Sequence, residues 1–331
     1  MRHLRYLFAA CLLWPMLARA DTSEMNVGIV RLTTAGEYSV PVAVWYPTSA
    51  PQSELHAGPY LIHATRDAQL APSRHGLIIL SHGSGGSEFG HADLAEALAR
   101  RGYIVVAPRH LGDSYDKPEG RGSDVQAIGR PWQTVATLDA VLADARLSDA
   151  IDPERIGMVG FSAGGYTTLV MAGARPDFSL LAAHCKAHSD DAELCPAGAL
   201  TKRPVTRSDW KLPEDNRVRA AVVMAPLSVM FDAGGLASVT IPLRIYKAKD
   251  DRLLRNEWNA NRLLDLLPNP AELSEVPGDH YVFLAPCSEQ LKAAAPELCT
   301  DAPGIDRNTL HASLNAEIVD FFDRKLGPAR N

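Results

Sequence analysis

An apolar run that ends in a serine between glycines constrains the fold of this chain more than any other feature. Residues 156–165 read Ile-Gly-Met-Val-Gly-Phe-Ser-Ala-Gly-Gly, and residues 163–174 have the pattern of a helix. A buried strand that passes through Gly-x-Ser-x-Gly directly into a helix must turn sharply at Ser162. Gly160 and Gly164 are needed there because a Cβ would collide with the neighbouring strand or helix. The turn predicts an outward-pointing hydroxyl at a helix amino terminus, where free N–H groups favour developing negative charge.

The rest of the chain alternates apolar runs with helical patterns. Continuous apolarity indicates strands buried on both faces, and such strands separated by amphipathic helices predict an α/β fold with a mostly parallel central sheet flanked by helices. Residues 27–32 and 40–46 predict an antiparallel pair that opens the sheet, and residues 60–63 a short extended piece. No period of 20 to 50 residues repeats, which excludes a solenoid. The further predicted strands are 76–82, 103–107, 155–160, 218–225, 242–248 and 271–276, and the predicted helices are 91–101, 131–146, 163–174, 256–267 and 307–326.

Composition narrows the class of protein. The 331 residues are 46% hydrophobic and 22% charged, which is typical of a globular protein with a sizeable core and excludes disorder, collagen and a coiled coil. There are 33 Lys+Arg against 39 Asp+Glu, a net charge of −6, and no basic run stands out. The chain therefore lacks the phosphate-neutralising surface of a nucleic-acid binder, and we expect no nucleic-acid partner.

The amino-terminal residues have the pattern of an export signal. Arg2 and Arg5 precede an apolar run over residues 6–17, and Ala-Arg-Ala follows at residues 18–20 as a small-x-small cleavage site. The run is shorter than the ~20 residues that span a bilayer, so we predict export and no stable membrane insertion. The prediction is a signal peptide over residues 1–20 and a single domain over residues 21–331, in a periplasmic or secreted protein.

Four cysteines remain beyond the predicted signal: Cys185, Cys195, Cys287 and Cys299. An even count in an oxidising compartment predicts disulfides. Three connectivities are possible, and pairing each cysteine with its near neighbour, Cys185 with Cys195 and Cys287 with Cys299, is the simplest. Neither pair has the tight spacing of a zinc site, so we expect no metal. Residues 175–217 show neither a helical nor a strand-like periodicity of apolar residues. We predict a short disulfide-stapled cap insertion there, too small for a core of its own.

A nucleophilic serine needs a base, and the downstream histidines supply the candidates. A serine hydroxyl reacts poorly unless a histidine, itself oriented by a carboxylate, accepts its proton. Pro-Gly-Asp-His at residues 277–280 follows a predicted strand and brings His280 to the carboxyl edge of the sheet. The other downstream histidine, His311, lies on a predicted exposed helix. His280 is therefore the predicted general base for Ser162.

The orienting acid should follow another strand at the same edge. Asp250 and Asp251 come directly after the predicted strand 242–248. An acid three residues beyond the strand exit at Ala248 is favoured, which indicates Asp251 and leaves Asp250 as the alternative. Because the carboxyl ends of parallel strands meet at one edge of a sheet, Ser162, Asp251 and His280 are expected to converge.

An oxyanion formed at Ser162 needs rigid N–H donors. One candidate is the backbone N–H of Ala163, and the other is the N–H of Ser84 in the His-Gly-Ser-Gly-Gly loop of residues 82–86. His82 is interpreted as fixing that loop by a hydrogen bond rather than as catalytic. No Lys-Ser/Thr follows the glycines, which argues against a phosphate cradle for a nucleotide. We expect no cofactor. Beside the turn, two aromatic residues are candidates for lining a substrate pocket, namely Phe161 and Tyr166.

Three segments together resemble a known family. Ser-His-Gly-Ser-Gly-Gly at residues 81–86, Gly-Phe-Ser-Ala-Gly-Gly-Tyr at 160–166 and Pro-Gly-Asp-His-Tyr-Val-Phe-Leu at 277–284 are similar to α/β-hydrolases described as predicted dienelactone hydrolases, which are related to platelet-activating-factor acetylhydrolases. The likeness covers most of residues 27–326. It implies an α/β-hydrolase fold and a serine esterase with the triad Ser162, Asp251 and His280. True dienelactone hydrolases use a cysteine nucleophile, so the serine implies a carboxylic ester hydrolase rather than a lactone specialist.

These observations predict a serine hydrolase that cleaves small or medium carboxylic esters through a covalent acyl-enzyme. No amphipathic helix with a wide apolar face marks a lipase lid, which favours soluble esters with acyl chains of about two to six carbons. Three alternatives stay open: a lipase or phospholipase-like acetylhydrolase, a serine peptidase or amidase on the same fold, and a non-catalytic binding protein. The acyl and alcohol groups of the substrate and the oligomeric state remain open as well.

Overall fold

A computed structural model describes residues 24–191, 194–195 and 207–327 of the chain. The predicted signal peptide over residues 1–20 lies outside these ranges, as does part of the predicted cap insertion. None of the helices in the described ranges combines the length and apolarity needed to cross a bilayer.

A nine-stranded sheet forms the centre of the protein, in the order β11-β10-β9-β8-β6-β7-β2-β1-β5. Six neighbouring strands, from β11 to β7, are parallel, whereas β2 pairs antiparallel with both β7 and β1. β3 and β4 form a separate hairpin. The strands span Asn26–Thr33 (β1), Pro41–Thr48 (β2), Leu55–Ala57 (β3), Tyr60–Ile62 (β4), Thr65–Arg66 (β5), His75–Ser81 (β6), Ile104–Pro108 (β7), Ile151–Phe161 (β8), Ala220–Met224 (β9), Leu243–Ala248 (β10) and Glu272–Val276 (β11).

The helices follow the parallel strands. Both faces of β6, β7 and β9 are fully buried, as their continuous apolar sequences predicted. The predicted mostly parallel sheet flanked by helices is therefore confirmed. The helices span Ala92–Arg100 (α1), Arg130–Ala143 (α2), Ala163–Met171 (α3), Phe178–Ala187 (α4), Ala233–Leu236 (α5), Ala260–Leu266 (α6), Glu289–Ala294 (α7), Pro296–Cys299 (α8) and Arg307–Leu326 (α9).

The order of the strands determines where a site can form. From β6 the chain adds β7 on one side, and it then crosses to add β8 on the other side of β6. In an open parallel sheet the loops on either side of such a reversal diverge and leave a crevice at the carboxyl ends of the strands. The loop after β6 and the turn after β8 border that crevice, and they carry residues 82–86 and Ser162.

The structure differs from the sequence expectations in three places. Helix α4 lies within residues 175–217, where no helix was expected, and the Asp177 side chain caps it by accepting from the Ser179 N–H at 2.8 Å. Helices α7 and α8 occupy the segment between Cys287 and Cys299. His311 was expected on an exposed helix face and is instead only 3% exposed, because that face of α9 packs against α1.

Both predicted disulfides are formed. Cys185 bonds Cys195 across ten residues, and Cys287 bonds Cys299 across twelve. The second bridge closes the loop that contains α7 and α8. Two covalent links of this kind constrain the unfolded chain and are typical of proteins from oxidising compartments.

Candidate active site

Ser162 occupies a strained turn between β8 and α3. Its φ is +56° and its ψ −116°, a conformation that non-glycine residues rarely adopt. The surrounding backbone holds it there, because the Ser162 N–H donates to the Met224 carbonyl at 2.9 Å and its carbonyl accepts from the Leu227 N–H at 3.1 Å. Strain of this kind costs of the order of 1–3 kcal/mol and persists only where neighbouring structure enforces it.

The glycines around Ser162 are sterically required. A Cβ on Gly160 would lie 2.1 Å from the carbonyl oxygen of Gly164, and a Cβ on Gly164 would lie 1.9 Å from the carbonyl oxygen of Ser81. Real Cβ atoms do not approach backbone this closely, so neither position accepts a side chain without movement of the strand or helix. The steric requirement predicted for Gly160 and Gly164 is therefore met in the structure.

His280 and Asp251 form a buried pair at the same sheet edge. His280 Nδ1 lies 2.8 Å from Asp251 Oδ2, and both side chains are at most 4% exposed. The Asp251 Oδ1 atom accepts from the N–H groups of Leu253 and Leu254 at 3.0 and 2.8 Å, which fixes the carboxylate plane. With Nδ1–H donating to the carboxylate, His280 Nε2 is left as a proton acceptor.

Asp250 is placed differently. Its side chain is exposed, whereas its backbone N–H donates to the Gly278 carbonyl at 2.9 Å. The neighbouring Lys249 N–H donates to the Val276 carbonyl at 2.8 Å, so two backbone bonds join the loop after β10 to the end of β11 and to the loop that carries His280. The structure therefore brings Asp251, and not Asp250, to the histidine.

The ring of Phe161, the residue before Ser162, packs against His280. The Phe161 ring centroid lies 4.8 Å from that of the His280 imidazole. Within the described residues, the Ser162 hydroxyl makes no hydrogen bond to His280. Catalytic hydrogen bonds often form only once a substrate is bound, so this does not argue against a serine–histidine pair.

The loop after β6 lies against the serine. A Cβ on Gly83 would be 2.8 Å from the Phe161 ring and 3.4 Å from the Ser162 Cβ, so the backbone of this loop approaches the turn directly. The Gly86 N–H donates to the Gly83 carbonyl at 3.1 Å and closes a turn with Ser84 at an exposed position. On the other side, Ala163 contributes the first N–H of α3, which has no intrahelical partner.

His82 is built into the support of this loop. Its Nε2 accepts from the His110 N–H at 3.0 Å, so the proton is on Nδ1, which donates to the Gly83 carbonyl at 2.7 Å. Burial, reinforced by the Arg130 charge, lowers the pKa of His82 to about 3. A neutral imidazole with both nitrogens engaged is a structural tie, as the sequence interpretation held.

A cavity of about 520 Å³ is bordered by the loop after β6 and by Phe161, the residue before Ser162, whereas Ser162 and His280 do not line it. One side of the cavity is formed by Phe161 and the glycines of the loop after β6. Part of another side comes from the segment closed by the Cys287–Cys299 disulfide, namely Leu291, Ala295 and Leu298. Tyr166 does not line this cavity: it is 3% exposed, its hydroxyl donates to the Ala127 carbonyl at 3.0 Å, and its ring stacks on Phe231. Of the two aromatic candidates, Phe161 alone borders the cavity.

Sequence reasoning missed the charged residues behind the loop after β6. The carboxylate of Asp113 and the guanidinium of Arg130 form an ion pair at 2.6 Å with side chains at most 1% exposed. The local signal was weak, because a single arginine at the start of a helix is usually solvated. Only the fold brings it against the loop.

One group of side chains has the residue types of a metal site. Ligand atoms of His184, Asp191 and Cys195 lie within 4.8 Å of one another. The Cys195 sulfur is bonded to Cys185, which removes the thiolate a metal would need. His184 Nε2 is itself paired with Asp191 Oδ2 at 2.9 Å, so these residues do not fit a metal site.

A strained serine between strand and helix, with a histidine–carboxylate pair at the same edge of a mostly parallel sheet, defines an α/β-hydrolase-type site. Residues 78–324 match the α/β hydrolase family, and the chain belongs to that family. The described fold superposes on the ferulic acid esterase from Streptomyces cinnamoneus with a TM-score of 0.62 and 20% identity, covering 93% of this chain and 92% of that one.

Among curated proteins, the chain is similar to a cutinase and to a putative esterase. It is 29% identical over 140 residues to cutinase est1 of Thermobifida alba, covering 38% of this chain and 44% of the cutinase. It is 28% identical over 174 residues to the putative esterase NocK of Nocardia uniformis subsp. tsuyamanensis, covering 50% of this chain and 47% of NocK. The chain thus spans less than half the length of these relatives.

Proposed function

We propose that this protein is a serine carboxylic ester hydrolase that works through a covalent acyl-enzyme. The observation that carries the proposal is the Asp251–His280 hydrogen bond beside the strained turn of Ser162. A buried histidine with one nitrogen on a carboxylate has its other nitrogen free to accept a proton, which is what a nucleophilic serine requires. The cutinase and esterase similarities support an ester as the substrate.

The reaction follows from these roles. The Ser162 Oγ attacks the ester carbonyl carbon while its proton passes to His280 Nε2, and Asp251 stabilises the resulting imidazolium. The tetrahedral intermediate expels the alcohol oxygen, which takes the proton from His280. Water then attacks the acyl-serine with His280 again as base, and the carboxylic acid leaves as Ser162 regains its proton.

The developing oxyanion is stabilised by backbone donors. The N–H groups of Ala163 and Ser84 are assigned this role, the first at the amino terminus of α3 and the second in the turn that lies against the serine. Donors of this type are already oriented before reaction, so they stabilise the transition state more than the planar ester. Removing one such donor typically costs about 10²–10³ in kcat.

The substrate is a small or medium ester. The adjoining cavity of about 520 Å³ falls in the range of sites for small molecules and has apolar walls from Phe161, Leu291 and Leu298. The Cys287–Cys299 bridge closes the loop that carries both leucines, so this wall is held in place covalently. Such a cavity encloses a short acyl or alcohol group but offers no extended apolar face for a lipid surface.

The remaining sequence predictions belong to the same proposal. We infer that the chain is exported to a periplasmic or extracellular location after removal of residues 1–20, and the two disulfides support an oxidising compartment. We propose that residues 175–217, of which the structure describes 175–191, 194–195 and 207–217, belong to a cap on the single catalytic domain of residues 21–331. Within the α/β hydrolases, the motifs at residues 81–86, 160–166 and 277–284 favour the dienelactone hydrolase-like and acetylhydrolase-like group.

A panel of p-nitrophenyl esters and anilides of graded chain length tests the reaction, together with fluorophosphonate labelling and peptide mass spectrometry. We expect ester hydrolysis, and an adduct on the peptide that contains Ser162 which is lost in Ser162→Ala. Preferential anilide cleavage would indicate an amidase. Activity that rises steadily with chain length, or increases above the substrate's micelle concentration, would indicate a lipase-like enzyme. An unlabelled, inactive protein would refute the esterase and favour a binding protein.

A further inference from the structure

The carboxylate of Asp113 gathers polar groups from two segments, the loop after β6 and the stretch that leads into α2. Its Oδ1 accepts from the Ser84 hydroxyl at 2.6 Å, and its Oδ2 accepts from Gln126 Nε2 at 2.7 Å and from Arg130 Nη1 at 2.6 Å. Its backbone carbonyl also accepts from the Gly85 N–H at 3.1 Å. One buried residue thus holds two consecutive residues of the turn that lies against the nucleophile.

Arg130 extends these contacts to the strand that carries the turn. Its Nη2 donates to the Ser81 hydroxyl at 3.2 Å and to the carbonyl of His82. The guanidinium is fully buried, so these bonds form without competition from bulk water. Because a guanidinium is planar and has several fixed donors, it can bridge a carboxylate and a carbonyl in one orientation, which the flexible ammonium of lysine cannot.

A local helix irregularity carries one of the donors. Residues Val125–Gly129 form a π-helical turn that runs directly into α2 at Arg130. Gln126 and Arg130 are four residues apart and reach the same oxygen of Asp113. π-turns are rare and are frequently found at functional sites.

Fold stability alone does not account for this cluster. Buried ion pairs are often no better for stability than apolar side chains of similar volume, since both charges lose their hydration. The partners of this pair lie on the end of β6 and on the loop that follows it, which is the segment assigned to oxyanion stabilisation. Preorganised donors must not move when charge develops, so a rigid support for this loop has a direct catalytic benefit.

We propose that Arg130 and Asp113 are positioning residues that hold the loop of residues 82–86, and with it the Ser84 N–H, in the geometry that stabilises the oxyanion. The proposal rests on the esterase function proposed above. The hydroxyl of Ser84 is the side-chain link through which Asp113 acts on the turn, in addition to the backbone bond from Gly85 N–H, whereas the N–H of Ser84 serves the reaction.

Two variants test the proposal with little change in the fold. Ser84→Ala removes the hydroxyl's bond to Asp113 and the 3.2 Å bond that it accepts from Gln126, and it keeps the backbone N–H. Arg130→Lys keeps the charge but loses the bridging geometry. Tyr103→Phe is the matched control, because it removes one side-chain hydrogen bond, to Asp323 at 2.9 Å, beside the amino end of β7 at the opposite edge of the sheet. For each protein we would measure the melting temperature, kcat and KM on a p-nitrophenyl ester, and the Ki of phenylboronic acid.

Phenylboronic acid is chosen because its boron adds the serine oxygen and becomes tetrahedral, which tests the oxyanion geometry without turnover. We expect kcat to decrease about tenfold in Ser84→Ala and about 100-fold in Arg130→Lys. The first decrease is smaller than that caused by deleting an oxyanion donor, and the second is comparable to it. KM should stay within about twofold and the boronate Ki should rise in proportion to the loss of kcat, since only transition-state contacts are affected. Tyr103→Phe should change neither kinetic quantity.

The result that overturns the proposal is a folded Ser84→Ala protein with the kcat and boronate Ki of the wild type, or one whose change falls on KM alone. If Arg130→Lys does not fold, Ser84→Ala still decides the matter. Failure of the esterase function would look different, because the wild-type protein itself would then neither hydrolyse esters nor react with fluorophosphonate.

Discussion

Replacement of Asp251 by asparagine should remove nearly all turnover while leaving the fold intact. The geometry of the carboxylate explains why an isosteric amide would fail. Oδ1 accepts from the N–H groups of Leu253 and Leu254, so an amide would keep its oxygen on that side. Its NH₂ group would then face His280 Nδ1 at a distance of 2.8 Å. Two donors cannot pair, and the imidazole would move its proton to Nε2.

A histidine protonated at Nε2 cannot accept the proton of Ser162, so the loss should approach that seen when a triad histidine is held in the wrong tautomer. That effect is about 10⁴ in kcat, or about 5.4 kcal/mol of transition-state stabilisation at 1.36 kcal/mol per factor of ten. Asp250→Asn provides the matched control one residue away. Its side chain is exposed, so we expect kcat within about twofold of the wild type, as for most surface substitutions.

Hydrolysis of p-nitrophenyl butyrate measures both variants, and a thermal melt checks that each is folded. The reasoning would be refuted by a folded Asp251→Asn protein that retains more than about a tenth of the wild-type kcat, since the expected loss is a thousand times larger. An equal loss of kcat in Asp250→Asn would indicate that Asp251 is not the carboxylate that orients His280.

Three further predictions concern the surroundings of the site. Gly83→Ala should fold but lose about tenfold in kcat, since its Cβ would press on Phe161 and displace the loop; a wild-type rate on the same ester would contradict this. Ala295→Trp should fill the cavity and reduce kcat/KM for hexanoate esters more than for acetate esters, as measured by parallel assays of the two substrates. An equal reduction for both esters would indicate that neither acyl group occupies the cavity. His311 donates to Asp93 Oδ2 at 2.6 Å and to the Val282 carbonyl at 2.8 Å, and although burial lowers its pKa, the bond to Asp93 outweighs burial and raises the pKa overall. A group whose pKa is raised in the folded state adds stability that is complete below the ordinary histidine pKa and is lost as pH rises through the folded-state pKa. Urea unfolding should therefore show His311→Gln destabilised by about 1–3 kcal/mol near pH 5.5 and by less at pH 9. A difference in unfolding free energy that does not change with pH would argue against the ion pair.

Local chemistry explains which parts of the site could be predicted from the sequence. The turn at Ser162 depends on residues within a few positions of it, and the glycine requirement is steric, so the five-residue pattern between strand and helix is sufficient. His280 and Asp251 were found from their places after strands, because parallel strands end at one edge. The choice of Asp251 over Asp250 depended on the length of one strand, which the structure ends at Ala248 as predicted.

The sequence predictions were wrong where packing between distant segments determines which way a side chain points. Tyr166 is close to Ser162 in sequence, yet α3 turns its side chain into the core against Phe231 rather than toward the cavity. His311 sits on a helix with many polar residues, and only the packing of α9 on α1 shows which face is buried. Neither fact is encoded by a periodic pattern of its own.

The same reasoning explains why the support of the oxyanion loop was invisible in the sequence. Asp113, Gln126 and Arg130 belong to a connection and a helix that follow β7, whereas the loop they hold follows β6. The two meet because β6 and β7 are adjacent and parallel, so that both connections emerge at the same edge of the sheet. The topology that opens a crevice between β6 and β8 therefore also brings a second connection behind the loop. We therefore expect a substitution in that connection to change the catalytic geometry without touching the substrate, so that its effect on kcat follows the affinity for a tetrahedral boronate rather than KM.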